Sequence, residues 1–172
     1  ENGDVKQYWL GRTVIHSDHR YTYEDVQQII ETKEGLHKEE ILLLNEMAQK
    51  LRKKRFSKGA INFSSQEVRF QLDEKGVPIG IVVKESKESH QLIEEFMLLA
   101  NRTVAENIAK QHINKKPIPF PYRVHDQPDE EKLAPFIQYA KRYGHSFDIS
   151  TPQAIAHSFN GMLADAHGKP EQ

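Results

Sequence analysis

The chain has 172 residues, enough for one domain, and its formal net charge of -1 provides no overall attraction to nucleic acid or to acidic lipid. It contains no cysteine, which excludes a disulfide framework, a thiol nucleophile and cysteine-ligated metal. A mean hydropathy of -0.71 is low for a self-contained globule and indicates surfaces that are polar or that face other parts of a larger protein. The longest apolar runs are much shorter than a membrane span, so the sequence predicts no membrane partner.

The first third of the chain predicts a strand followed by two helices. Residues 5–15 are rich in β-branched and aromatic side chains, which favours one long strand. Thr22 and Asp25 stand three residues apart in a capping-box pattern, which predicts the start of a helix. Residues 38–57 carry apolar side chains at helical spacing, and Gly59 is expected to end that second helix.

The middle of the chain predicts a β-hairpin and then a long helix. Residues 67–72 and 79–83 read as strands on either side of the sequence Asp-Glu-Lys-Gly. Gly76 closes this turn and tolerates the positive φ that the turn requires. The helix is predicted over residues 86–113 because apolar side chains recur along it at helical spacing.

A proline-rich segment divides the chain into two parts. Residues 115–121 hold three prolines in seven positions, cannot be helical and form the best internal boundary between 1–114 and 122–172. The C-terminal part predicts a short strand and two helices, at residues 122–125, 129–143 and 151–166. The fold class expected for the whole is α+β and helix-dominated, with a long strand and a β-hairpin packed against several amphipathic helices.

An adjacent carboxylate pair, Glu94 and Glu95, lies in the most apolar part of the long helix. A helix that is mostly buried brings at least one of these carboxylates close to a core or a cleft. A charge there is costly unless it is paired or used, so the pair is a candidate functional site. The alternative is that both are ordinary solvated or salt-bridged helix residues.

Four sequence blocks occur in the order found in one enzyme family. HQLIEEFMLLAN at 90–101 resembles the H-x-L-I-E-E-x-M-x-x-A-N signature of the ribonuclease R and ribonuclease II family, whose catalytic module is the RNB domain. The other three blocks are also similar to family motifs: RTVIHSDHRYTYEDV at 12–26, LRKKRFSKGAINF at 51–63 and PYRVHDQP at 121–128. The resemblance runs from about residue 5 to the C-terminus.

The resemblance implies a parent protein that is a cytoplasmic, processive, Mg²⁺-dependent exoribonuclease. Such an enzyme releases nucleoside monophosphates from single-stranded RNA in the 3′-to-5′ direction, with the RNA threaded through a channel in a β-core ringed by helices. The family's D-x-D-D metal cluster and its downstream S-P-I-R-R-Y motif are both absent from these residues. We therefore expect residues 1–172 to be an internal fragment of the RNB catalytic domain, with no catalytic residue and no protein ligand for metal, and inactive alone.

The resemblance also assigns roles to three side chains. Glu94 matches the family glutamate that contacts sugar near the RNA 3′ end, where a carboxylate accepts from a ribose 2′-OH that DNA lacks. Tyr23 matches the tyrosine that approaches the terminal nucleotides by stacking or through its hydroxyl, and its alternative is a tyrosine that only packs on the helix start. Glu95 is expected in or near the same RNA channel.

A basic run at the end of the second predicted helix is a candidate for phosphate contact. Arg52, Lys53 and Arg55, with Lys54 and Lys58 beside them, would neutralise phosphates along single-stranded RNA. The alternative is a solvated helix C-terminus, where basic residues are favoured by the helix dipole.

The rival functional class is a non-enzymatic helical module that binds RNA or another protein, and composition permits it equally well. The ordered resemblance argues against it, as does Asn2-Gly3, which resembles the turn of a hairpin whose first strand is missing. A truncated domain would expose apolar surface, so self-association is a second expected property beside the binding of single-stranded RNA.

Overall fold

The structure is a computed structural model that describes residues 3–62, 67–84, 86–125, 128–166 and 168–169. Within these ranges helices dominate, and the strands are short and antiparallel, which confirms the predicted α+β class. None of the described helices is long and apolar enough to cross a membrane. The elements in chain order are α1 (Tyr23–Thr32), α2 (Lys38–Ser57), β1 (Glu67–Leu72), β2 (Pro78–Lys84), α3 (Glu88–Ala109), β3 (His112–Ile113), β4 (Lys116–Pro117), α4 (Glu130–Arg142) and α5 (Pro152–Ala166).

Helix α1 begins with the capping box that the sequence predicts. The Thr22 hydroxyl accepts a hydrogen bond from the Asp25 backbone N–H at 3.1 Å, and Asp25 Oδ2 accepts one from the Thr22 N–H at 3.0 Å. Two backbone donors that the helix leaves unpaired are satisfied in this way. The hydrogen bond from the Thr22 backbone, and then the one with its side chain, hold the pKa of Asp25 below its ordinary value.

Helix α2 has the bounds that the sequence predicts, and Gly59 follows its end. Gly59 has a φ of +100°, in the left-handed region that glycine adopts without strain. Ile41 and Ala48 are buried, and so is the polar Asn45. One face of α2 is therefore a packed face, although one of its three buried side chains is an amide.

The β1–β2 hairpin forms in the predicted place. Gly76 has a φ of +79°, and Asp73 Oδ1 accepts hydrogen bonds from the N–H groups of Lys75 and Val77, both at 2.8 Å. The predicted packing of this hairpin against helices does not hold for its large apolar side chains. The cross-strand partners Phe70 and Ile81 remain 63% and 65% exposed.

Two strands predicted from composition are absent from the described residues. Residues 5–15 and 122–125 run without a ladder to any other described segment, so the long strand and the short strand are both wrong as predictions. Trp9, for instance, is 71% exposed. A β-branched and aromatic composition sets only a preference, whereas a strand exists only when a second strand pairs with it.

Helix α3 is shorter than predicted because a two-residue turn follows it. The helix ends at Ala109, and the short strands β3 and β4 pair as His112 with Pro117 and Ile113 with Lys116. The turn residues between them, 114 and 115, have φ values of 51° and 64°. Two consecutive left-handed residues make the turn that joins strands with native twist, and asparagine adopts that conformation readily.

The chain divides into two compact units. The first comprises Glu1–Arg52 with Ser64–Phe120, and the second comprises Lys53–Phe63 with Pro121–Gln172. In the first unit α1 and α3 contact each other, and Ile29 and Leu92 are buried. The expectation that residues 1–172 form part of one domain stays a prediction.

The second unit has an aromatic cluster between its helices and the segment that joins them. Phe136 stacks on Phe159 with ring centroids 5.3 Å apart, and Phe147 contacts both rings edge-on. Helix α5 begins as predicted, with Pro152 at its first position and the Thr151 hydroxyl accepting from the Ala154 N–H at 3.1 Å.

Candidate nucleic-acid interface

The two adjacent carboxylates on α3 have different environments. Glu95 is 3% exposed, whereas the Glu94 side chain is 47% exposed. Neighbouring residues in an α-helix point about 100° apart, so one carboxylate faces the packed side while the other reaches solvent. The expectation that at least one of the pair lies close to a core is confirmed, and the buried one is Glu95.

Arg52 lies between the two carboxylates. Its Nη1 is 3.7 Å from Oε1 of Glu95 and 3.9 Å from Oε2 of Glu94, and its side chain is only 19% exposed. A buried carboxylate is tolerated when a cation compensates its charge, and a guanidinium is well suited to do so. The sequence placed Arg52 in a solvent-facing basic run and did not anticipate that it pairs with the carboxylates of α3.

The pairing of Arg52 belongs to a row of polar contacts between α2 and α3. Asn45 Nδ2 donates to Glu88 Oε2 at 2.8 Å, and Gln49 Nε2 donates to Gln91 Oε1 at 3.4 Å. Partners advance together along both helices, so the two helices run parallel here. We call these three contacts the α2–α3 polar row; its pairs are Asn45–Glu88, Gln49–Gln91 and Arg52–Glu95.

Tyr23 stacks on a histidine at the start of α3. The rings of Tyr23 and His90 are almost parallel, with an interplanar angle of 12° and centroids 4.2 Å apart. Tyr23 is nevertheless 41% exposed. His90 precedes Glu94 by four residues, so the stacked pair and the exposed carboxylate share one face of α3. His90 is not among the site residues predicted from the sequence, although its spacing from Glu94 within the H-x-L-I-E-E block was a usable signal.

The connection between α1 and α3 is reinforced beside this stack. Gln27 Oε1 accepts a hydrogen bond from the Ser89 backbone N–H at 3.1 Å, and Ser89 is 1% exposed. A side chain of α1 therefore satisfies one of the free donors at the N-terminus of α3. This contact fixes the start of the helix that carries both His90 and Glu94.

Tyr21 anchors the segment that leads into α1. Its hydroxyl is 3.1 Å from the Leu36 carbonyl oxygen and 2.7 Å from His37 Nδ1. Desolvation, and then the negative charges of Glu40 and Asp25, raise the pKa of Tyr21 above its ordinary value. Tyr21 therefore ties the entry of α1 to the α1–α2 connection.

Lys53 and Arg55 belong to the second compact unit. Lys53 is exposed, and the Arg55 guanidinium carbon is 5.2 Å from the centroid of the Phe56 ring. The segment after this basic run is fixed to α5 by one side chain. Asn160 Nδ2 donates to the Ala60 carbonyl at 2.9 Å, and Asn160 Oδ1 accepts from the Asn62 N–H at 2.8 Å.

Metal binding finds little support in the part of the chain that the structure describes. No three histidine, aspartate or glutamate side chains there are grouped so as to hold an ion. A Mg²⁺ site needs several converging oxygen ligands, and the described residues do not fit one.

Comparison with known proteins gives the family. The model of the RNB domain matches residues 1–169. The chain belongs to the RNB family. Among RNB relatives, DIS3-like exonuclease 2 of Schizosaccharomyces pombe is 39% identical over 167 residues, which are 88% of this chain and 18% of that protein. A protein of Arabidopsis thaliana named inactive exonuclease DIS3L2 is 34% identical over 95% of this chain and 17% of its own length.

The fold of this RNB chain is also similar to a solved structure. The structure of Mycoplasma genitalium RNase R in complex with ribose-methylated single-stranded RNA matches with a TM-score of 0.70 and 26% sequence identity. The match covers 88% of this chain and 24% of that one. The chain thus spans about a fifth of the length of the curated relatives named above. The recognition made from the four sequence blocks is confirmed.

Proposed function

We propose that this chain is the central part of the catalytic domain of a cytoplasmic, processive 3′-to-5′ exoribonuclease that hydrolyses single-stranded RNA to nucleoside monophosphates. In this proposal the chain forms part of the wall of the RNA channel and contacts nucleotides near the 3′ end. Membership of the RNB family supports it, as does the similarity to an RNase R whose structure contains single-stranded RNA.

The observation that carries the proposal is the common face of α3 that holds Glu94 and the Tyr23–His90 stack. A partly exposed aromatic ring offers a surface on which a base stacks, whatever its sequence. A carboxylate one helical turn away accepts hydrogen bonds and cannot donate when ionised. The two together match the base and the 2′-OH of a ribonucleotide, which is the donor that separates RNA from DNA.

The chemical step is assigned to other parts of the parent enzyme. The described residues offer no carboxylate cluster for Mg²⁺, and Mg²⁺ in the parent would activate water and neutralise the scissile phosphate. The similarity to a relative named as inactive is compatible with this division, because this region resembles that protein about as well as it resembles others. Purified alone with Mg²⁺ and a 3′-overhanging RNA, the 172-residue chain should release no mononucleotides. RNA-selective cleavage would contradict the division.

The role of Glu94 is tested by the variant Glu94→Ala in the parent enzyme. We expect the ratio of RNA to DNA cleavage to fall by about tenfold or more, since a hydrogen bond to a charged acceptor contributes about 1.5–3 kcal/mol. The matched control is Glu106→Gln, an exposed glutamate on the same helix that pairs with Arg102 at 2.7 Å. An unchanged ratio in Glu94→Ala would remove Glu94 from the site.

Tyr23 is tested through the affinity for the 3′ end of single-stranded RNA. Tyr23→Ala should weaken binding by about 1–3 kcal/mol, the usual contribution of one stacked base. Tyr23→Phe separates the ring from the hydroxyl, because it keeps the stacking surface alone. Tyr143→Ala removes an exposed tyrosine that directly follows α4 and serves as the control. Equal affinity in Tyr23→Ala and the parent would leave Tyr23 as a packing residue.

A further inference from the structure

We propose that Arg52 is a positioning residue, which holds Glu94 in place through the buried carboxylate of Glu95 and does not bind RNA phosphate. This inference rests on the proposed sugar contact of Glu94. It concerns how RNA is distinguished from DNA, and it separates Arg52 from the other cations of the basic run. Arg52 is adjacent in sequence to Lys53 and close to Arg55, but the geometry around Arg52 differs from theirs.

The charge of Arg52 is already used within the protein. Its side chain is 19% exposed and its Nη1 lies within 4 Å of a carboxylate oxygen of both glutamates, at 3.7 Å and 3.9 Å. A phosphate that drew the guanidinium away would leave the carboxylate of Glu95 buried at 3% exposure without this compensation. Separating a guanidinium from a buried carboxylate is unfavourable, so the internal pairing competes with phosphate for Arg52.

The α2–α3 polar row fixes the register of the two helices. Two helices that met only through apolar side chains could shift along each other at modest cost. Hydrogen-bonded and charged pairs at three successive levels allow one register, in the way that buried polar residues fix register in coiled coils. Ala48 is fully buried on the same face of α2.

Fixing Glu95 also fixes Glu94. The two residues are consecutive on one helix, so holding that helix through Glu95 also sets the direction in which the Cα–Cβ bond of Glu94 points. The second Arg52 contact, at 3.9 Å to Glu94, restrains the exposed carboxylate as well. The carboxylate is thereby held ready for a ribose hydroxyl, and less conformational freedom is lost when RNA binds.

The two roles of Arg52 predict different measurements. A phosphate ligand contributes equally to RNA and DNA, and its removal lowers the slope of log affinity against log salt concentration by about 0.7 for a single strand. A positioning residue leaves that slope unchanged and alters the preference for RNA over DNA, because only RNA has the hydroxyl that Glu94 would contact.

The experiment compares Arg52→Met with Glu94→Ala and a control in the parent enzyme. Cleavage rates and affinities are measured for matched oligoadenylate and oligodeoxyadenylate over a series of salt concentrations. We expect Arg52→Met to lower the RNA-to-DNA ratio about as far as Glu94→Ala does, with an unchanged salt slope. Arg102→Met removes a guanidinium from an exposed pair on α3 and should change neither quantity.

A double variant keeps the test valid if Arg52→Met folds poorly. Replacing both members of a buried ion pair by apolar residues is often neutral for stability, so Arg52→Met with Glu95→Met should fold. If Arg52 acts through Glu95, the double variant folds and still shows a lowered RNA-to-DNA ratio with an unchanged salt slope, because the apolar pair does not hold Glu94 in place. A lost phosphate ligand would instead leave the ratio unchanged and lower the salt slope. Arg52→Lys keeps the charge without the planar fork and should lie between the parent and Arg52→Met.

The outcomes separate the two proposals. A salt slope that falls by about 0.7 in Arg52→Met with an unchanged RNA-to-DNA ratio would make Arg52 a phosphate ligand and overturn the inference. The inference is also overturned if Glu94→Ala lowers the ratio and Arg52→Met does not. If Glu94→Ala itself has no effect on the ratio, the proposed sugar contact fails first, and the role of Arg52 in selectivity fails with it.

Discussion

Arg52 Nη1 lies 3.7 Å from Oε1 of Glu95, and these two residues come from different helices, 43 positions apart in the chain. The carboxylate of Glu95 is almost completely buried, whereas that of the adjacent Glu94 is about half exposed. One cation therefore joins a structural carboxylate to a candidate binding carboxylate. The pair of glutamates that stands out in the sequence consists of two residues with different physical roles.

This difference predicts unequal effects of the same substitution on stability. Glu95→Gln should lower the free energy of unfolding by about 1–3 kcal/mol, because it removes the charged partner that the Arg52 guanidinium contacts at a buried position. Glu94→Gln changes an exposed side chain and should stay within about 0.5 kcal/mol. Urea denaturation of the 172-residue chain measures both. Equal losses of unfolding free energy in the two variants would mean that the burial of Glu95 does not contribute to stability.

The capping box of α1 predicts a pH-dependent contribution to stability. The pKa of Asp25 is held below its ordinary value in the folded chain by hydrogen bonds with Thr22. The ionised form is thus favoured by folding, and the stabilisation is present above the unfolded aspartate pKa of about 3.9. It is lost as the pH falls through the lowered folded-state value.

Two variants separate the cap from its charge. Thr22→Ala should cost about 1 kcal/mol near neutral pH, the typical cost of losing an N-cap. Asp25→Asn keeps the shape of the side chain and should remove this residue's share of the acid dependence. Thermal unfolding between pH 2.5 and pH 7, chosen to bracket the value of about 3.9, measures both. An acid profile in Asp25→Asn that overlays the parent profile would show that the hydrogen bonds with Thr22 do not favour the ionised form.

Local patterns in the sequence predicted the local parts of the fold. The capping box of α1, the bounds of α2 and the Gly76 turn depend on residues within a few positions of one another, and all three are found where expected. The strands expected at residues 5–15 and 122–125 did not form, because a strand needs a pairing partner that local composition cannot supply.

The candidate site was predictable only in part, for the same reason. An adjacent carboxylate pair in an apolar helix correctly indicated that one carboxylate is buried. Which of the two is buried depends on where Arg52 of α2 meets α3, and no pattern within either helix contains that information. The Tyr23–His90 stack likewise joins two helices that are distant in sequence.

Substitution of Asn160 should have a local effect on the stability of the second unit. Asn160→Ala removes the acceptor for the Asn62 N–H and the donor to the Ala60 carbonyl. Because two backbone groups lose a hydrogen bond, we expect a loss of about 1–3 kcal/mol of stability and faster hydrogen exchange at the Asn62 amide. Asn160→Asp keeps the acceptor and should protect that amide more than Asn160→Ala does. Gln138→Ala, an exposed change on α4, is the control. Unaltered exchange at Asn62 in Asn160→Ala would contradict this role.

The remaining cations of the basic run predict a response opposite to that of Arg52. Lys53→Met and Arg55→Met should each weaken binding to RNA and DNA equally, because both polymers carry the same phosphates. Each variant should lower the salt slope by about 0.7, the value for one phosphate contact on a single strand. The control is Lys50→Met, since Lys50 lies on α2 and pairs with Glu46 at 2.7 Å.

Salt titrations of oligonucleotide binding by the parent enzyme distinguish the two interpretations of this run. A slope reduced in Lys53→Met and Arg55→Met, and unchanged in Lys50→Met and Arg52→Met, would divide the cluster into phosphate ligands and one positioning residue. Unchanged slopes in all four variants would favour a solvated helix end stabilised by the helix dipole. The run would then contribute nothing to RNA binding, although Arg52 would keep its place beside the α3 carboxylates.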